Sequence, residues 1–167
     1  MSHKRYYSLA DPVVGHFNST ITGITDPFIT SRLTGLVAVA AVTVYELCIK
    51  HIFYQFATSR NEIFGAFTLK YFERINGRVK VRNIKEDYLT KFGAIYVDNF
   101  GKNLALAEHK ILTTSGKSIQ SSYNNIIVWR NQFAHEGNFA ATVTYPEAVE
   151  SYNLGKEVVQ VLADTLR

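Results

Sequence analysis

From Pro27 to Thr58, apolar residues recur at positions 33, 36, 37, 40, 44, 47, 48 and 52. That three-and-four spacing lays one continuous stripe along a long helix; a strand, with its period of two, does not produce it. The β-branched stretch VAVAAVTV invites a strand reading, but the same helical spacing continues through ELCIKHIFYQF. A stripe this long has to be covered, by lipid or by other helices. The uncharged run from Leu33 to Tyr45 spans only 13 residues. A membrane span needs about 20, and Glu46 and Lys50 close the run, so the expectation is a soluble helical bundle.

Helix signals dominate the rest of the chain. Asp11-Pro12 and Asp26-Pro27 each read as an N-cap acid with proline in the first turn. Ser59-Arg-Asn-Glu62 reads as a capping box opening a second helix that runs to Asn76-Gly77. That Asn-Gly pair reads either as a helix end before a basic loop or as a hairpin turn into RVKVR; Phe64, Phe67, Leu69, Tyr71 and Phe72 suit a helical face better than alternation and favour the former. Asn83 opens a third helix to about Asn99, with a shorter piece at 103–114 after Gly101 and a break at Gly116. Ser118 to Glu136 forms the penultimate helix, and Thr144-Tyr-Pro-Glu147 caps the last one. The reading is an all-α, up-and-down bundle of four to five main helices over residues 27–167. Residues 1–26 form an N-terminal arm or short helix.

At 167 residues the chain is one domain, long enough to bury roughly two-thirds of its unfolded surface. Cys48 is the only cysteine, so disulfides and a thiolate zinc site are excluded, and a reducing, cytoplasmic setting is expected. The start, MSHKRYYSLADP, has no apolar run behind its basic residues and does not read as a secretory signal. Net charge is +4, but it is unevenly placed. Residues 70–85 carry Lys70, Arg74, Arg78, Lys80, Arg82 and Lys85 against the single acid Glu73, whereas residues 136–167 are acidic. A basic stripe suits a polyanion, and a merely solvated basic loop is the plainer alternative.

The penultimate helix ends on WRNQFAHEG, residues 129–137. Asn131 and His135 are four apart and share a face. Arg130 and His135 are about 140° apart around the axis, so only a long side chain reaches the same spot. His135 lies in the last turn before Gly137, where the carbonyl end of the helix favours a cation. These residues suit acid–base chemistry next to a phosphate clamp. A common helix ending, with Arg130 paired to Glu136 or to an acid on another helix, is the plainer reading of the spacing alone.

RNQFAH on the penultimate helix of a small all-α chain resembles the signature of the HEPN superfamily (higher eukaryotes and prokaryotes nucleotide-binding domains). That signature is an arginine, four to six residues and a histidine, often with a polar residue directly after the arginine. Arg130, Asn131 and His135 fill those places. The helical order over residues 27–166 is similar to the family's bundle, and the long first helix with Tyr45-Glu46 near its middle resembles stand-alone bacterial members of defence and toxin–antitoxin systems. The resemblance implies a metal-independent endoribonuclease using the RNA's 2′-hydroxyl, with no cofactor. It implies His135 as the acid–base, Arg130 as the phosphate clamp, and Asn131 orienting either. It also implies a homodimer that joins two motifs, and an antitoxin or regulatory protein as partner. The alternative within the family is a non-catalytic module binding RNA, nucleotide or a protein.

Glu46, inside the apolar helix, needs a partner in Lys50 or Arg130, and is otherwise a supporting residue of the site. Tyr123, two turns before Arg130, is core or cleft lining. Arg78, Lys80, Arg82 and Lys85 are the RNA-binding candidates. His16, His51 and His109 have no metal-ligand spacing, so no metal site is expected. No glycine-rich phosphate loop or Ser-His-Asp order is present.

Overall fold

The structure, a computed structural model, describes residues 2–136 and 143–167, the side chain of residue 136 excepted. Among the described residues there are helices and no strands, as expected for an all-α chain. A 3₁₀ segment, His3–Leu9, leads into α1 (Asp11–Ile21), the long α2 (Pro27–Arg60) and α3 (Glu62–Phe72). After a crossing segment come α4 (Ala94–Ser115), α5 (Ile119–Glu136) and α6 (Tyr145–Thr165). The predicted stripe makes α2 the axis around which α3, α5 and α6 pack, while α4 lies against α5 and α6.

Long and apolar enough to span a bilayer by composition, α2 has 61% of its most apolar window buried inside the protein. Its inward side chains Tyr45, Cys48, Ile49 and Phe53 are fully buried among Tyr123, Ile126, Ile127, Tyr152 and Leu162. Tyr45 stacks on Tyr123 with ring centres 5.0 Å apart and donates its hydroxyl to the Tyr152 carbonyl at 2.5 Å, tying α2 to α5 and α6. A second cluster of rings (Phe53, Phe56, Phe72, Tyr88 and Phe92) fills the space under α3.

Several ends follow the local chemistry. Asp26 accepts from the Phe28 amide at 2.8 Å, with Pro27 in the first turn of α2. Thr144 accepts from Glu147 N–H at 3.3 Å, Ser118 accepts from Ser121 N–H at 3.0 Å, and α4 stops at the left-handed Gly116.

Others do not. Ser59 is not the cap of α3, because α2 continues two residues past Thr58 and the Ser59 hydroxyl bonds back to Phe56 O. Asn61 takes that place, extended at φ −165°, its side chain accepting from the amides of Ile63 and Phe64. Asp11 lies inside α1 and caps nothing; its carboxylate accepts instead from Tyr152 Oη at 2.6 Å and Lys156 Nζ at 2.8 Å. Helix α3 ends at Phe72, short of Asn76-Gly77. Asn76 and Gly77 are both left-handed (φ 45° and 77°) and Arg78 N–H bonds Ile75 O, the geometry of a tight primed turn, here without flanking strands.

The third helix also divides differently. Asn83–Tyr88 is a π-helical turn followed by a 3₁₀ turn, and the break falls at Gly93, whose φ of 124° only glycine adopts readily. Gly101 remains helical inside α4, because a glycine there costs only about 1 kcal/mol relative to alanine and forces no turn. The expected helix ending at Gly137 lies outside the described residues.

Candidate active site

The inward face of α5 (Ile119, Tyr123, Ile126 and Ile127) sets the rotation of the helix and hence the placement of the polar groups at its end. Arg130 and Asn131 fall half-buried at the edge of the bundle, and His135 is exposed one turn further on. Arg130 Nη1 donates to Asn131 Oδ1 at 3.0 Å, so the amide orients the guanidinium. The guanidinium lies against Gly77: a Cβ there would stand 3.1 Å from Nη1 and 3.3 Å from Nη2. Among the described residues no carboxylate lies within salt-bridge reach of Arg130. The alternative pairing with Glu136 lies outside the described side chains.

The turn under Arg130 is held from below. Glu46 accepts from Gly77 N–H at 2.6 Å through one oxygen and pairs with Lys50 Nζ at 2.7 Å through the other. Lys50 in turn donates to the Glu73 carbonyl at 3.1 Å. Of the two partners weighed for Glu46, Lys50 is the one it has, and its second role is to fix the turn on which Arg130 rests. Tyr123 is fully buried and does not line an open cleft; its hydroxyl donates to Val79 O at 2.6 Å. Burial pushes that hydroxyl well above the ordinary tyrosine range, so it stays a neutral donor. Tyr88 does the same for Arg78 O at 2.7 Å, its hydroxyl pushed up to about 12, chiefly by burial.

Beside Asn131 this braced segment forms a cleft of about 520 Å³, lined by Gly77, Arg78, Lys80, Arg82, Asn83, Asp87 and Asn131. Arg78 pairs with Asp87 at 3.4 Å and Arg82 with Glu86 at 2.7 Å, both at the exposed surface, where ion pairs are weak and readily exchanged for another anion. Lys80 has no ion-pair partner among the described residues. Thus the cleft gathers Asn131 with three of the four cations read from the sequence. Lys85 is turned away, its ammonium near Gly101 on α4. Neither Arg130 nor His135 lines the cleft of the single chain; Arg130 lies against Gly77 at its edge. Gly77, Asn83 and Tyr88 were not singled out for the site from the sequence. The Asn76-Gly77 pair was the available signal, since two adjacent left-handed residues let the backbone approach a side chain closely.

A family model described as RiboL-PSP-HEPN matches residues 5–167. No curated protein and no solved structure matches the chain.

Proposed function

The chain belongs to the RiboL-PSP-HEPN family and carries a HEPN-type domain, and from this we propose that it is a metal-independent endoribonuclease, a toxin or antiviral defence effector acting as a homodimer. The observation that carries this reading is the half-buried Arg130 guanidinium, oriented by Asn131 and seated on Gly77 beside a basic cleft, with no carboxylate partner among the described residues. A planar cation so placed suits a phosphodiester, which it can grip with two hydrogen bonds. The RNA 2′-hydroxyl attacks the adjacent phosphorus, the bond to O5′ breaks, and the products carry a 2′,3′-cyclic phosphate and a 5′-hydroxyl. His135 moves the proton, either from the 2′-hydroxyl or to O5′, and Arg130 neutralises charge on the phosphoryl oxygens. Two protomers would supply two His135 side chains, one as base and one as acid.

The place of His135 outside the single-chain cleft favours one second reading, a HEPN module that binds RNA or a partner without cutting. Cleavage separates the two. His135→Ala should lower cleavage by about 10²–10⁴-fold with helicity unchanged, since the residue is exposed and holds no core contact. Arg130→Lys should fail likewise, keeping the charge but losing the fork. Wild-type cleavage should persist in EDTA and leave cyclic phosphate ends, and expression should arrest growth unless His135 is changed. Cleavage that stops on chelation would sink the mechanism; RNA binding without cleavage would select the second reading.

A further inference from the structure

The outer face of α3 exposes apolar side chains that the bundle does not use. Phe67 is 67% exposed and Tyr71, one turn later, 40% exposed. Their rings are nearly parallel (18°) with centres 6.4 Å apart, so the pair presents flat π-surface to solvent. Lys91 sits 5.6 Å over the Tyr71 ring, and Lys70 and Arg74 stand exposed beside it. The charge around this face is lopsided. From Phe67 to Lys91 there are seven Lys/Arg against three Asp/Glu, a surplus equal to the formal net charge of the whole chain, +4. Over the rest of the molecule the charges sum to zero, and the exposed rings open a segment whose positive surplus matches the net charge of the chain. Along the chain the rings lie close to the cleft: Arg74 follows Tyr71, and Gly77 and Arg78 of the cleft lining come next.

We infer that this face of α3 is a base-stacking platform, which takes unpaired bases of a single-stranded RNA whose backbone continues into the cleft beside Asn131. The inference rests on the RNA-directed reading above. Rings with cations between them are the surface that single strands select, because every base has a π-face and every nucleotide a phosphate. A duplex is a poor occupant, since its bases already stack on one another and offer the protein only backbone. A protein partner would cover the apolar rings but would have to be acidic to match Lys70, Arg74 and Lys91.

The test uses the full chain carrying His135→Ala, so that RNA is not consumed. Its probes are a short oligouridylate and a blunt RNA duplex of the same length. Phe67→Ala with Tyr71→Ala should weaken oligouridylate binding by roughly tenfold or more, the fold-change that loss of base stacking gives. Duplex affinity and the salt slope should stay as they were, because every cation that meets a phosphate is still in place. Phe67→Trp should keep or tighten single-strand binding, which a variant with a damaged fold would not do. Unchanged oligouridylate affinity, an equal loss on the duplex, or a change in sedimentation mass showing that the face joins protein chains would each overturn the platform. A chain with no salt-dependent RNA binding at all would overturn the RNA reading itself. Salt-dependent binding that Arg78→Ser, Lys80→Ser and Arg82→Ser remove but the ring variants do not would overturn the platform alone.

Discussion

Gly77 is held from two sides and touched from a third. Its amide is bound by Glu46, its φ of 77° belongs to the tight turn with Asn76, and the Arg130 guanidinium fills the space where a side chain would begin. Left-handed backbone costs a residue with a Cβ roughly 1–2 kcal/mol. A methyl group here would also displace the guanidinium by a few tenths of an ångström. Gly77→Ala should therefore lose about 1–2 kcal/mol in urea unfolding and lose cleavage beyond what the residual folded fraction explains. Asn76→Gly, at φ 45°, is the matched control and should change neither. If Gly77→Ala cleaves as the parent does, the seat under Arg130 is not needed. Cys48 shows the opposite kind of residue: buried in α2, it donates to His3 O at 3.3 Å, and burial pushes its thiol up to about 12, so it acts as core and not as a nucleophile.

At the scale of elements, the basic segment and the N-terminal 3₁₀ turn differ: one is braced by neutral hydroxyls, and the other buries an imidazole. Tyr123 and Tyr88 hold the carbonyls of Val79 and Arg78, and the side chains of Arg78 and Lys80 stand exposed. Replacing Arg78, Lys80 and Arg82 together by serine should weaken RNA binding and flatten its salt dependence, by about 0.7 in slope for each phosphate no longer neutralised. An unchanged slope would make the segment an ordinary solvated loop. His3, in contrast, is 8% exposed where its segment crosses α2, and its Nε2 has no hydrogen-bond partner among the described residues. Burial first, then the neighbouring charge of Lys4, holds its imidazole below the ordinary 6.5. The unfolded chain therefore takes up the proton first as pH falls. The stability tied to a neutral His3 is complete above pH 6.5 and is lost as pH drops from there through the lowered native value. Urea midpoints at pH 7.5 and 5.5, compared between the parent and His3→Leu, should show the acid-side loss shrinking in the variant; parallel losses would place the titration elsewhere.

For the whole molecule, the unevenness of the site is the main fact. One chain offers a half-buried arginine, an amide and a basic cleft, but neither Arg130 nor His135 lines that cleft, and His135 stands at an exposed helix end. RNA cleavage through a 2′-hydroxyl uses a base and an acid, and a second copy is the simplest source of the other. Sedimentation at micromolar concentration should accordingly give twice the 18.9 kDa chain mass. Mixing His135→Ala chains with Arg130→Lys chains should restore part of the activity if one dimer combines groups from both. A monomer mass with full cleavage would place acid and base in one chain.

Helical class, the long apolar stripe of α2 and the caps at Asp26 and Thr144 were legible in the residues, because periodicity and capping act over a few neighbours and tertiary packing here agrees with them. That Arg130 and Asn131 lie side by side with His135 one turn further on was legible for the same reason: their relation along one helix is local. What surrounds them was not. That Arg130 rests on Gly77, that Glu46 binds the turn instead of the arginine, and that Tyr123 works from beneath all depend on contacts between residues 31 to 53 positions apart. The break at Gly93 and the continuity through Gly101 were likewise not legible, because only the folded chain shows which of the two glycines takes a positive φ. Sequence spacing fixes which side chains share a face; only the assembled bundle decides what that face meets, because the opposing surface comes from elsewhere in the chain.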